Sequence, residues 1–227
     1  MGTPFQLWFD RVMSRRAKQL TRRLKPWIST GGRIADVGSG TGHNAETWRQ
    51  DLDVVVDEFD VQDLHWIGDG PMIFDGRKIP APDVAYSTVT LLFVLQYAVD
   101  PVGLLQELRR MSAGRVLLVQ STYQGTWGYF WLSVREFFWG PVAHRVARVA
   151  GIVKGQSCSL KSRTLYTRQQ LARMFQQAGL TVIHSQAEPW WGMSTSRDLY
   201  VLESATRPST CRSSSPPETK NDGWQQH

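Results

Sequence analysis

Ile34-Ala35-Asp36-Val37-Gly38-Ser39-Gly40-Thr41-Gly42 is the stretch on which the fold turns. Arg33 to Val37 reads as a short buried strand, and a helix through Ala45, Trp48 and Arg49 follows the glycines. Three glycines at alternate positions between a strand and a helix let the backbone turn tightly and approach a ligand where side chains would collide. The helix start then offers unpaired N–H groups that favour a carboxylate or phosphate.

Outward from this unit the chain keeps the same rhythm. Val54 through Val61 supplies a second strand, Pro71 to Phe74 a third and Ser87 to Phe93 a fourth. A helix from about Pro101 to Met111 leads to a fifth strand, Arg115 to Val119. After an interruption, Thr167 and Gln170 have capping-box spacing, and Leu171, Met174, Phe175 and Ala178 form one helical face closed by Gly179. Two last strands follow near Leu180 to His184 and Leu199 to Leu202. Alternating strands and helices predict an α/β fold, a seven-stranded, mostly parallel sheet with helices on both faces.

Three segments lie outside that alternation. From Phe5 to Trp27 apolar residues spaced by threes and fours predict a basic N-terminal helix, which with its connection occupies residues 1–32. Residues 123–161, dense in Trp127, Tyr129, Phe130, Trp131, Phe137, Phe138 and Trp139, read as a helical insertion or lid. Beyond Ser204 the composition of Ser, Thr, Pro and Lys cannot offset ordering entropy, so residues 205–227 read as a disordered tail after a domain spanning 1–204.

Composition narrows the setting. A chain of 227 residues, 41% hydrophobic, buries the core of one domain. The net charge of +6 and pI near 9.6 favour an anionic partner. Two cysteines, Cys158 and Cys211, make no disulfide framework, and no export or spanning segment is visible, so a cytoplasmic location is expected. No metal site is read.

The neighbours of the glycine loop sharpen its ligand. Asp60, near the end of the second strand, stands about where a ribose hydroxyl pair needs an acceptor, with Asp57, Glu58 and Asp63 as competitors. Asp36 opens the loop with a negative charge, which repels pyrophosphate and suits a ligand bearing an amine. That combination disfavours NAD and favours an amino-acid-bearing nucleoside.

From about Arg33 to Leu202 the chain resembles the class I S-adenosylmethionine-dependent methyltransferases, which have a Rossmann-like fold. Ile34 to Gly42 resembles the family's first motif, whose acidic residue and glycines hold the methionine part of the cofactor. Asp75-Gly76-Arg77-Lys78-Ile79-Pro80 resembles the segment after the third strand that meets the adenine amino group, and Phe93 to Pro101 the stretch after the fourth. The resemblance implies S-adenosyl-L-methionine as cofactor, held by Asp36, Gly38, Ser39, Gly40, Gly42, Asp60, Asp75, Gly76 and Leu91. Tyr86-Ser87 replaces a frequent Phe-Asp, and Gln96-Tyr97 stands where His is frequent, so no catalytic His carries over to that site.

Methyl transfer needs aligned partners and excluded water, with a base only for a weakly acidic nucleophile. His144 in the insertion is the favoured catalytic candidate, beside Glu136, Tyr123, Tyr166 and His184. Leu91-Leu92-Phe93-Val94 replaces the Asn- or Asp-Pro-Pro-aromatic motif of DNA amino methylation, and neither cysteine is placed for base C5 chemistry, so DNA is not an expected partner. The aromatic insertion, with Arg135, Arg145, Arg148 and Lys154, suits an apolar small molecule or lipid-like acceptor and peripheral contact with an anionic membrane. The alternatives are a noncatalytic S-adenosylmethionine-binding or scaffold protein and an RNA or protein methyltransferase.

Overall fold

A computed structural model describes residues 4–137, 164–189 and 194–205. Seven strands form one sheet in the order β3-β2-β1-β4-β5-β7-β6. They are β1 (Arg33–Val37), β2 (Val55–Asp60), β3 (Met72–Ile73), β4 (Tyr86–Leu92), β5 (Ser112–Tyr123), β6 (Leu180–Pro189) and β7 (Thr195–Ser204). β3, β2, β1, β4 and β5 run parallel, while β7 is antiparallel to both β5 and β6. The order reverses between β1 and β4, so the crevice at their carboxyl ends lies at the topological switch point.

Period-two alternation assigns the two sheet faces. Ile34, Leu117, Val119, Leu199 and Val201 pack with Leu20 and Leu24 of α1 (Pro4–Leu24) and Ala45 and Trp48 of α2 (His43–Asp51). Ala35, Val37, Leu91, Val116 and Leu118 point the other way. They meet Leu104, Leu105 and Leu108 of α3 (Pro101–Met111) and Leu171 and Phe175 of α5 (Arg168–Gln177). Between α3 and α5 in the chain, α4 (Gly125–Phe137) starts two residues after β5 ends.

Local signals explain the helix ends. Asp100 caps α3 by accepting from the Gly103 N–H at 2.9 Å, with Pro101 in the first turn. Thr167 and Gln170 form the reciprocal capping box of α5, and Gly179 follows the helix at φ +70°. α1 ends at Leu24, three residues before the predicted Trp27, and Lys25–Trp27 tighten into a 3-10 turn around Pro26. Only its second half is core: Ala17, Leu20, Thr21 and Leu24 are buried, whereas Leu7, Trp8 and Val12 are exposed.

The largest departure from the sequence pattern is at β5 and β7, which extend well past their apolar runs. Polar Gln120, Ser121 and Thr122 continue β5 fully buried because β7 brings partners to them. Thr122 Oγ1 donates to Asp198 Oδ2 at 2.7 Å, and Arg168 Nε reaches the same carboxylate at 2.7 Å. Burial opposes the charge on Asp198, but Arg168, Ser196 and Thr122 together hold its pKa below the usual carboxylate range.

Among the described residues no helix is long and apolar enough to cross a membrane. Of the tail 205–227, expected to be disordered, all but Ala205 lies outside the described residues, as do Cys158, Cys211, Lys154 and most of the 123–161 insertion.

Candidate cofactor and acceptor site

The glycine loop is held from beneath by β2. Gly38 N–H and Ser39 N–H both donate to Phe59 O, at 2.7 and 3.3 Å, and Gly40 N–H donates to Asp60 Oδ2 at 2.9 Å. Gly38, Gly40 and Gly42 all take positive φ, between 59° and 79°, the left-handed region that side chains resist. Two of them are also closed in by neighbours: a Cβ on Gly38 would strike the Val94 side chain, and one on Gly42 would strike Ile67 O and the His65 ring. Gly40 differs. A Cβ there would find nothing closer than Gly38 O at 4.0 Å, so the loop presents open space at its middle glycine.

Asp36 sits below this loop, fully buried at the end of β1. Its Oδ1 accepts from Thr90 Oγ1 at 2.7 Å, while Oδ2 is buried without a partner among the described residues. Burial pushes its pKa up to about 7, with the nearby carboxylates of Glu58 and Asp60 adding to the rise against the Thr90 hydrogen bond. Ser39 Oγ is likewise buried and unpartnered among the described residues. Orphaned buried polar atoms beside an open backbone cradle fit a ligand carrying an amine and a carboxylate, as the amino-acid end of S-adenosylmethionine does.

Of the four acidic candidates on β2 and the loop after it, three have other engagements. Asp57 pairs with Arg33 at 2.7 Å. Glu58 is buried between Arg49, at 2.7 Å, and His65. Asp63 accepts from its own loop at His65 N–H and is exposed. Asp60 stands at the carboxyl end of β2, accepting from Gly40 and Val61 N–H groups, and burial raises its pKa despite those donors. Asp75, exposed after β3, uses Oδ1 to accept from Arg77 and Lys78 N–H, which lowers its pKa. Gly76 follows at φ +79°, against Val61. Leu91 pairs with Val37 and Leu118, its side chain wholly in the core, so it supports the loop from below and offers no side-chain surface to a ligand.

Three features of the site were not legible in the sequence. Asp10 of α1 meets His43 Nε2 at 3.1 Å, and His43 Nδ1 meets Thr41 Oγ1 at 2.9 Å, so α1 is tied to the glycine loop. Phe9 adds edge contacts to His43 and Trp66. Phe93, directly after β4, takes φ +62°, an outlier for a bulky residue, with the Arg16 guanidinium 4.9 Å above its ring. Gln96, just after β4, accepts from Gln120 Nε2 at 3.0 Å in a buried amide pair.

The proposed bases separate. His144 lies outside the described residues, together with Arg145, Arg148, Phe138 and Trp139, and so do the side chains of Glu136 and Phe137. His184 lies midway along the edge strand β6, paired with Val201 and tilted against the Trp27 ring, away from the carboxyl ends of the parallel strands. Tyr166 is buried, which raises its pKa. Tyr123 is half-buried at the end of β5, edge-on to Tyr129. Helix α4 packs on β7 through Gly128, whose missing Cβ admits Ser194. Its Trp127, Phe130 and Trp131 form a mutually contacting cluster that is 41–62% exposed.

A family model described as a methyltransferase domain matches residues 9–185. A comparison with curated protein sequences returned no match. Among solved structures, a SAM-dependent methyltransferase from Aquifex aeolicus is 14% identical with a TM-score of 0.54, covering 83% of this chain and 97% of its own. Geranyl diphosphate C-methyltransferase from Streptomyces coelicolor A3(2) is 12% identical with a TM-score of 0.56, covering 85% and 79%. A phosphoethanolamine N-methyltransferase from Haemonchus contortus is 16% identical with a TM-score of 0.53, covering 77% of this chain but 38% of that one. At these identities the likeness to solved structures is one of fold.

Proposed function

The chain belongs to the methyltransferase-domain family and is an S-adenosylmethionine-dependent methyltransferase, and from that premise we propose that it methylates an apolar, lipid-like small molecule seated between the end of β4 and helix α4. The observation that carries this reading is the exposed cluster of Trp127, Phe130 and Trp131 on α4, which is joined to the carboxyl end of β5 by Gln124 alone. Large apolar side chains gathered on one exposed face mark a surface that meets an apolar partner.

Bound S-adenosylmethionine supplies a sulfonium methyl group open to attack by a nucleophile. The chain's own part is to bind and orient. In the proposed assignment Asp36 faces the amine, the Gly38–Gly42 loop receives the amino-acid end, Asp60 accepts from ribose and Asp75 from the adenine amino group. Unpartnered Asp36 Oδ2 and the open space at Gly40 support the first two assignments. For Asp60, support comes from its place at the end of β2, where it already fixes Gly40. Phe93 and Val94 connect the acceptor side to the loop, since Val94 occupies the volume that Gly38 leaves open.

The tie through Asp10, His43 and Thr41 makes α1 a positioning element for the loop. Replacing His43 by Phe keeps a ring of similar size and removes both hydrogen bonds. At about 0.5–1.5 kcal/mol for each of the two bonds, S-adenosylhomocysteine affinity should fall roughly five- to a hundredfold. Asp10→Asn should give a smaller loss in the same titration. Unchanged affinity in both variants would mean that the loop keeps its geometry without α1.

Methyl-labelled S-adenosylmethionine incubated with the protein and a cell lipid extract tests the acceptor class. Label should enter the organic phase, and the double variant Trp127→Ala, Trp131→Ala should lower that transfer at least tenfold while S-adenosylhomocysteine affinity holds. Label found in RNA or protein in place of the organic phase would overturn the apolar acceptor. Equal loss of transfer and cofactor affinity would assign the aromatics to the fold.

A further inference from the structure

A cavity of about 340 Å³ lies where α1 crosses the end of β4 and the adjoining ends of β6 and β7. Four arginines line it, Arg16, Arg22 and Arg23 from α1 and Arg197 from β7, with Glu188 as the one carboxylate and Phe93 as the aromatic wall. Glu188 Oε2 accepts from Arg23 Nη1 at 2.7 Å, and Arg23 Nη2 donates to the backbone carbonyl of Arg197 at 3.3 Å. Arg197 is half-buried; burial first, and then Arg135 and Arg23, lower its pKa in spite of Glu188. Positive charge gathered in a concave, partly desolvated site is stabilised by an arriving anion, and several guanidinium forks suit the many oxygens of a phosphate better than a single carboxylate.

The position of this cavity connects it to the reaction. Its wall, Phe93, is the strained residue at the end of β4, and the next residue, Val94, packs directly on Gly38 of the glycine loop. Arg16 lies over the Phe93 ring, so the charged cavity reaches the end of β4 beside the glycine loop. On the other side, Arg135 of α4 donates to Ser121 Oγ at 3.1 Å and its charge reaches Arg197, which extends the basic surface toward the aromatic helix. We propose that this cavity binds the phosphate or diphosphate group of the methyl acceptor, so that the acceptor is an apolar chain with a phosphorylated head. The inference rests on the proposed acceptor entrance and deepens it by naming the polar end.

Calorimetry with inorganic pyrophosphate on the full chain, saturated with S-adenosylhomocysteine, tests the cavity without depending on methyl transfer. Wild type should bind pyrophosphate at one site at constant ionic strength. Arg16→Gln and Arg197→Gln should each weaken it tenfold or more, while S-adenosylhomocysteine affinity stays the same. Absence of pyrophosphate binding to wild type, or equal binding by Arg16→Gln, would overturn the proposal, and neither result would bear on label transfer to the organic phase. Should Arg197→Gln lose the cofactor too, Arg197→Lys replaces it and is expected to retain cofactor and bind pyrophosphate less tightly than wild type. Competition separates the sources of the head group. Displacement of pyrophosphate by a short-chain isoprenyl diphosphate in solution supports a soluble acceptor, and displacement only by phosphatidate vesicles supports a membrane lipid.

Discussion

Gly40→Val is expected to lower S-adenosylhomocysteine affinity at least a hundredfold while leaving the protein folded. Gly40 is the one glycine of the loop whose added Cβ meets no neighbour, so the branched side chain enters the open space that a ligand would use. The strain of a left-handed φ of +59° costs about 1–2 kcal/mol, a shift of only several degrees in Tm for a chain this long. Gly38→Ala and Gly42→Ala supply the contrast. Their Cβ atoms collide with Val94 and with Ile67 O, so these variants should lose stability together with affinity. Melting curves and titrations on the three proteins read the difference directly. Full affinity in Gly40→Val would move the cofactor off this loop.

Asp36→Asn should act in opposite directions on binding and on stability. Losing a charge-assisted contact to an amine should weaken S-adenosylhomocysteine by roughly ten- to a hundredfold. The unliganded protein, by contrast, should gain stability at pH 8. The native pKa of Asp36 is raised to about 7 from 3.8, so between those values the folded state holds the proton more tightly than the unfolded chain. The stability associated with that proton is fully present below about pH 4, falls as pH rises through 7, and is gone above it. The sum over that span is roughly 4 kcal/mol as an upper figure, and Asn, which never ionises, escapes it. The Tm difference between Asp36→Asn and wild type should therefore widen from pH 5 to pH 8. A difference that stays constant across that range would show that Asp36 is not held in a raised-pKa state.

The parts of this fold that the sequence announces are those governed by local chemistry. The strand–glycine–helix unit and the Thr167–Gln170 capping box both depend on residues within a turn or two of each other. Features made by distant partners were not legible. The apolar run of β5 ends at Val119, and the polar Gln120, Ser121 and Thr122 are buried with partners from Gln96, Arg135 and Asp198, elsewhere in the chain. Thr90 reaches Asp36 across 54 positions, and Arg16 reaches Phe93 from a helix whose exposed face reads as merely basic. α1 shows the converse limit. Its apolar pattern runs from Phe5 onward, but Leu7, Trp8 and Val12 remain exposed, since periodicity marks a face without saying what covers it.

One titration tests the central claim most directly: calorimetry of the wild-type protein with S-adenosylhomocysteine and, in parallel, with NAD. Asp36 beneath the loop and Asp60 fixing Gly40 predict saturable single-site binding of S-adenosylhomocysteine and no heat above dilution with NAD. Binding of NAD without response to S-adenosylhomocysteine would contradict the assignment of the glycine loop to the methyl donor.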